Sequence, residues 1–118
     1  MIKHNYIEKG EGDVLIMLHG NGLDSSYFYH QINYFSSKYR VIAVDSRGHG
    51  RTPRGDKPLT ILQFSEDLRQ FMDMHDIKRA HILGFSDGAN VAIRFAIDYP
   101  ERVDKLVLNG ANIKYRAL

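Results

Sequence analysis

An α/β fold, built as a mostly parallel sheet with helices on both faces, is predicted by three observations. Four short apolar runs, Val14 to Leu18, Val41 to Val44, His81 to Leu83 and Leu106 to Leu108, are each too short for a helix and mostly lack polar alternation, as suits parallel strands buried on both faces. The segments between them carry apolar residues at helical spacing. Strand and helix alternate with short connections, which is the pattern of right-handed βαβ units. The opening segment, about His4 to Glu8, adds an edge strand.

The clearest helix begins at Ile61, where Ile61, Phe64, Leu68, Phe71 and Met72 share one face that must pack on a sheet. Thr60 and Gln63 form a capping-box pattern, and Leu59 and Phe64 occupy the positions of a hydrophobic staple. A second helix is expected from about Ser26 to Lys38, with Phe28, Ile32 and Phe35 on one side. The third runs from Asp87 to Asp98, apolar around most of its circumference through Ala89, Val91, Ala92, Ile93, Phe95 and Ala96, with Pro100 just past its end. A helix so apolar is expected to be deeply buried. By the handedness of the crossovers, the second helix covers one face of the sheet and the other two lie on the opposite face.

The 118 residues, 43% of them hydrophobic, fit one domain over 1–118 with a single core. The 16 Lys and Arg nearly balance the 14 Asp and Glu and are scattered along the chain, so the basic stripe of a nucleic-acid binder is missing and no nucleic-acid partner is expected. With no cysteine, disulfides, thiolate nucleophiles and most structural zinc sites are excluded. The histidines and carboxylates show no tight ligand spacing of the H-E-x-x-H kind, and neither a metal nor a cofactor is expected. The polar start, Met1 to Gly12, has no apolar core of a signal peptide, and no stretch approaches about 18 apolar residues. The expectation is a cytoplasmic protein without a membrane partner.

The strongest chemical signal is Gly84, Phe85, Ser86, Asp87, Gly88, placed where a buried strand ends and an apolar helix begins. This is the G-x-S-x-G nucleophile elbow in its required setting. A strand turning at once into a helix forces the serine into a strained conformation, and neighbours without side chains let the chain pass closely. The hydroxyl then stands above the sheet, beside the free N–H groups and positive dipole end of the following helix, which favour an oxyanion. A second element, His19, Gly20, Asn21, Gly22, directly follows the first strand. A third, Asp45, Ser46, Arg47, Gly48, His49, Gly50, with Thr52 close behind, ends the second main strand.

Together these residues resemble the α/β-hydrolase superfamily, from about Tyr6 to Gly110. The resemblance implies a serine hydrolase acting on a small-molecule ester or related acyl bond. Ser86 would be the nucleophile, and the backbone N–H groups of Asn21 and Asp87 the oxyanion hole. His19 and Gly20 would shape the loop that presents Asn21. The segment with Asp45, Arg47, Gly48, His49 and Gly50 resembles the superfamily's D-x-R-G-x-G-x-S/T turn, which is scaffold; there Asp45 and Arg47 exchange hydrogen bonds with each other or with nearby loops. The passage Tyr99 to Val103 into Leu106 to Asn109 resembles the superfamily's helix-to-strand step after the elbow.

The superfamily's order is nucleophile, then acid, then histidine. Here the six histidines, at 4, 19, 30, 49, 75 and 81, all precede Ser86, and no carboxylate follows Asp104. The chain is therefore expected to be a truncated α/β-hydrolase fold lacking the last strands and the cap. Triad members act as a unit, and loss of the base removes on the order of 10⁶ in turnover, so little or no activity is expected without a complementing half. The same truncation leaves an unpaired strand edge and an under-covered face, from which self-association is expected.

Two other readings compete. Gly20, Asn21 and Gly22 after a strand, with Asp45 at the end of the next, sketch a dinucleotide fingerprint, although Ser25 stands where the third glycine belongs. A non-catalytic interaction module would keep the fold without the chemistry. The aromatic group Tyr27, Phe28, Tyr29, Tyr34 and Phe35 either lines a pocket near His19 or packs its helix on the sheet.

Overall fold

Five strands lie within residues 2–110, the part of the chain described by the computed structural model. They are β1 (Tyr6–Lys9), β2 (Val14–Leu18), β3 (Arg40–Val44), β4 (Ala80–Phe85) and β5 (Val103–Asn109), and three helices alternate with them, α1 (Tyr29–Phe35), α2 (Ile61–Met74) and α3 (Asp87–Asp98). The strands form one sheet in the order β1-β3-β2-β4-β5. Of these five, β1 alone runs antiparallel, against β3; the remaining pairs are parallel, with Ile16 level with Ile42 on one side and Ile82 on the other. The central strands are apolar on both faces because helices cover both faces.

One core joins Ile16, Ile42, Val44 and Ile82 to Leu68, Phe71 and Met72 of α2 and to Val91, Ala92 and Phe95 of α3. The opposite face is smaller: Leu15, Met17, Val41 and Ala43 pack under Phe28 and Ile32, with Leu83 and Phe85 only partly covered. A single short helix thus serves one face and two longer helices the other, the division that right-handed crossovers impose. No helix among the described residues is long and apolar enough to cross a membrane.

Three local differences from the sequence expectation have physical causes. The helix expected over 26–38 is shorter and split: a 3-10 turn at Ser25–Phe28, capped by the Asp24 carboxylate on the Ser26 N–H, leads into α1, which ends at Phe35. The chain must then swing into β3, whose first residue, Arg40, donates its N–H to Asp13 O at 2.9 Å. The strands overrun their apolar runs, since ladder bonds recruit any backbone in register; Gly84 and Phe85 pair with Leu108 and Asn109. At α2, Thr60 Oγ1 accepts from the Gln63 N–H at 3.1 Å, but the Gln63 side chain donates to Asp67 at 2.9 Å and does not return to the Thr60 N–H. The capping box is half formed, because Asp67 offers the amide a charged acceptor one turn ahead.

Candidate active site

Ser86 sits at the end of β4 and caps α3 with φ 57° and ψ −119°, a region that a side chain occupies only under strain of about 1–3 kcal/mol. The surroundings hold it there. Its N–H donates to Asn109 O of β5 at 2.8 Å, and its carbonyl accepts from the Ala89 N–H at 2.9 Å. A Cβ on Gly84 would stand 2.6 Å from Ala89 Cα, and one on Gly88 would stand 2.6 Å from the Leu18 carbonyl carbon. Both positions therefore exclude any side chain, and the helix meets the strand ends at contact distance.

The loop after β2 folds over this bend. Gly20 approaches so closely that a Cβ there would lie 3.2 Å from Ser86 Cβ, and the next residue, Asn21, lines the same cleft as Asp87. His19 is 3% exposed and bridges two segments: Ser46 N–H donates to its Nε2 at 3.0 Å, and Nδ1 lies 2.7 Å from Gly20 O. Since Nε2 accepts, the proton sits on Nδ1 and is donated to Gly20 O. Burial lowers the imidazole pKa, opposed in part by the Gly20 carbonyl and reinforced by His49. His49 extends the bridge, with Nδ1 3.0 Å from Arg47 O and Nε2 3.3 Å from Asn21 Oδ1.

Beneath the loops, the turn after β3 is tied in several directions. Asp45 accepts from Asn5 Nδ2 at 2.8 Å, Ser25 N–H at 2.7 Å and Arg51 N–H at 3.0 Å. Burial pushes its carboxyl pKa up, but these donors outweigh burial and leave it below the ordinary value. Thr52 Oγ1 donates to Asp45 O at 2.7 Å and accepts from the Asn5 N–H at 2.9 Å. Gly48 and Gly50 turn at φ 74° and 54°, and Gly50 passes directly against the Asp45 carboxylate, where a Cβ would collide. Arg47 does not meet Asp45. It forks onto Asp67 of α2, Nε and Nη2 at 2.8 and 2.9 Å from the two carboxylate oxygens, both side chains 3% exposed, and gives Nη1 to Arg54 O. Asp67 was not singled out in the sequence; its only signal is a carboxylate on the apolar side of an amphipathic helix.

A cleft of about 200 Å³ opens among these elements at the carboxyl ends of the strands. The His19 to Asn21 loop, Ser46 and His49 form one side, and Asp87, Gly88 and Val91 of α3 another. Leu59, Ile61 and Phe64 close it from the start of α2, so residues read only as a staple and a packing stripe also form a wall. Tyr27 lies away from it, stacked on Phe85 at 4.8 Å on the α1 face. Among the described residues no group of three metal-binding side chains converges.

The sequence model of the alpha/beta hydrolase fold family matches residues 13–117. The chain belongs to the α/β-hydrolase family. Its relatives include the 2-hydroxy-6-oxo-6-phenylhexa-2,4-dienoate hydrolase of Comamonas testosteroni, 38% identical over 117 residues that cover 90% of this chain and 39% of the relative. Epoxide hydrolase 2 of Caenorhabditis elegans is 33% identical over 111 residues, covering 91% of this chain and 31% of that one. Among solved structures, a mutant meta-cleavage product hydrolase from Pseudomonas fluorescens IP01, complexed with acetates, superposes with a TM-score of 0.90 at 36% identity, covering 93% of this chain and 42% of its own. The chain thus spans about two-fifths or less of the length of these α/β-hydrolases.

Proposed function

We propose that this α/β-hydrolase carries the nucleophilic half of an acyl-hydrolase site, with Ser86 as nucleophile and the N–H groups of Asn21 and Asp87 as the oxyanion hole. The observation that carries this reading is the strained Ser86 backbone, locked between β4 and α3 against Gly20 of the facing loop. In the proposed reaction Ser86 Oγ attacks a carbonyl, the oxyanion is held by the two amides, the leaving group departs with a proton, and water cleaves the acyl-enzyme. A small-molecule ester or related acyl compound is the substrate class; no cofactor takes part.

The relatives' names point to different reactions, a dienoate and an epoxide, and the residue at the elbow favours one kind. A serine alkylated by an epoxide would become an ether, which offers water no carbonyl, whereas an acylated serine is an ester open to hydrolysis. Attack also needs a base. His19 has both ring nitrogens committed, to Gly20 O and the Ser46 N–H, and His49 lies against Arg47 O and Asn21 Oδ1 rather than against Ser86, so in this reading the base comes from outside the described residues and the chain alone is a slow catalyst. The dinucleotide alternative is disfavoured by Asp45, whose oxygens already serve Asn5, Ser25 and Arg51.

The test compares wild type with Ser86→Ala, using an activated ester and a fluorophosphonate probe. The expected result is probe labelling confined to wild type, with ester turnover far below the ordinary range of about 1–10³ s⁻¹. Equal labelling of both proteins would overturn the assignment of Ser86. Turnover within the ordinary range that vanished in Ser86→Ala would instead overturn the slow-catalyst reading.

A second inference concerns partners. The outer edge of β5 carries no strand among the described residues, and Leu106, Val107 and Leu108 on it are 37%, 51% and 37% exposed. An open edge with apolar side chains is a template for pairing, and self-association through it is our reading of the chain in isolation.

A further inference from the structure

We propose that the cleft beside Ser86 receives an apolar group about the size of one aromatic ring, neutral or cationic, and that the Asp87 side chain excludes anionic ones. This rests on Ser86 being the nucleophile and adds the substrate class. The volume of about 200 Å³ is of the order of cavities of about 150 Å³ that hold benzene. The wall facing the α3 terminus is apolar, made by Leu59, Ile61 and Phe64, with Val91 of α3 opposite them, and burial of these side chains by a ligand supplies binding free energy in proportion to area.

Charge decides the class. Among the described residues no lysine or arginine lines the cleft, and Asp87 is its one carboxylate. Of the two imidazoles in the wall, His19 has both nitrogens committed, to Gly20 O and the Ser46 N–H, and in the proposed reading the donors that face a ligand oxygen are the uncharged backbone N–H groups taken by the reacting oxygen. Asp87 sits in the first turn of α3. Its backbone amide attracts the reacting oxygen, while its carboxylate repels a second negative charge on the ligand. At a separation of about 6 Å in a half-solvated cleft, two like charges change affinity by about tenfold.

Three boronic acids test this, since Ser86 Oγ can add to boron, release its proton to solvent and mimic the tetrahedral oxyanion. Calorimetry would compare phenylboronic acid with its 4-aminomethyl and 4-carboxy derivatives on wild type, Asp87→Asn and Ser86→Ala. The expected order on wild type is cation tightest and anion weakest, with the anion about tenfold below the neutral ring. Asp87→Asn should shrink that gap to within about twofold, and added salt should narrow it in wild type, which provides a readout independent of the variant's folding. Equal affinity for all three, or a gap unchanged in Asp87→Asn and by salt, would overturn the proposal while leaving Ser86 in place. Binding undiminished in Ser86→Ala would remove the nucleophile reading and this inference with it.

Discussion

Ser86 and the Arg47–Asp67 pair show how single residues here are constrained by what surrounds them. The ion pair is bidentate and both side chains are 3% exposed, so neither charge can return to water when its partner is lost. Asp67→Ala should therefore destabilise the protein by about 3–5 kcal/mol, read as a lowered urea midpoint. The double variant Arg47→Met with Asp67→Leu should recover most of that loss, because it leaves no buried charge. The buried histidines give a second residue-scale expectation. Burial lowers the pKa of both His4 and His19 in the folded protein, whereas unfolded imidazoles titrate near about 6.5. Their contribution is fully present above that value and is lost as pH falls through it toward the lowered folded values. The urea midpoint should accordingly fall between about pH 7.5 and about pH 5.5, and His4→Phe, which keeps a ring against Phe71, should flatten part of the decline.

At the scale of elements, the helices are placed by their ends as much as by their stripes. α2 starts at a Thr60 cap and stops in a Schellman arrangement: Ile77 N–H reaches Met72 O at 2.8 Å around Asp76, which has φ 56°. Glycine is the usual residue there, and aspartate tolerates the left-handed region at some cost. Asp76→Gly should therefore stabilise the protein by roughly 0.5–1 kcal/mol, a rise of a few degrees in Tm measured by circular dichroism. Ile77, 3% exposed in the core, keeps the chain on course into β4, so the same turn that ends α2 sets the strand leading to Ser86.

The molecule as a whole is asymmetric. α2 and α3 cover one face and α1 covers part of the other, while among the described residues β5 ends the sheet on one side with its outer edge open. If that edge pairs between copies, sedimentation should show association rising through the micromolar range. Val107→Lys, at a site 51% exposed, should shift the population toward monomer with little change in Tm, as edge lysines do in other sheets. A clean monomer at high micromolar concentration in both proteins would sink this expectation.

What the sequence by itself determined is the local grammar: apolar runs for β2, β3 and β4, the start of α2 at Ile61, α3 over Asp87–Asp98, and the abrupt strand-to-helix bend at Ser86. Those features depend on neighbours within a few residues, where spacing and glycine placement speak directly. Only the tertiary structure decided that Arg47 takes Asp67 and not Asp45, that His49 reaches Asn21 across 28 positions, and that Leu59, Ile61 and Phe64 wall the cleft. It also shortened α1 and diverted Gln63 from its cap to Asp67. The reason is physical. Which of several carboxylates or amides a side chain meets depends on strand order and register, which bring distant residues to one edge of the sheet and leave no periodic trace in the chain.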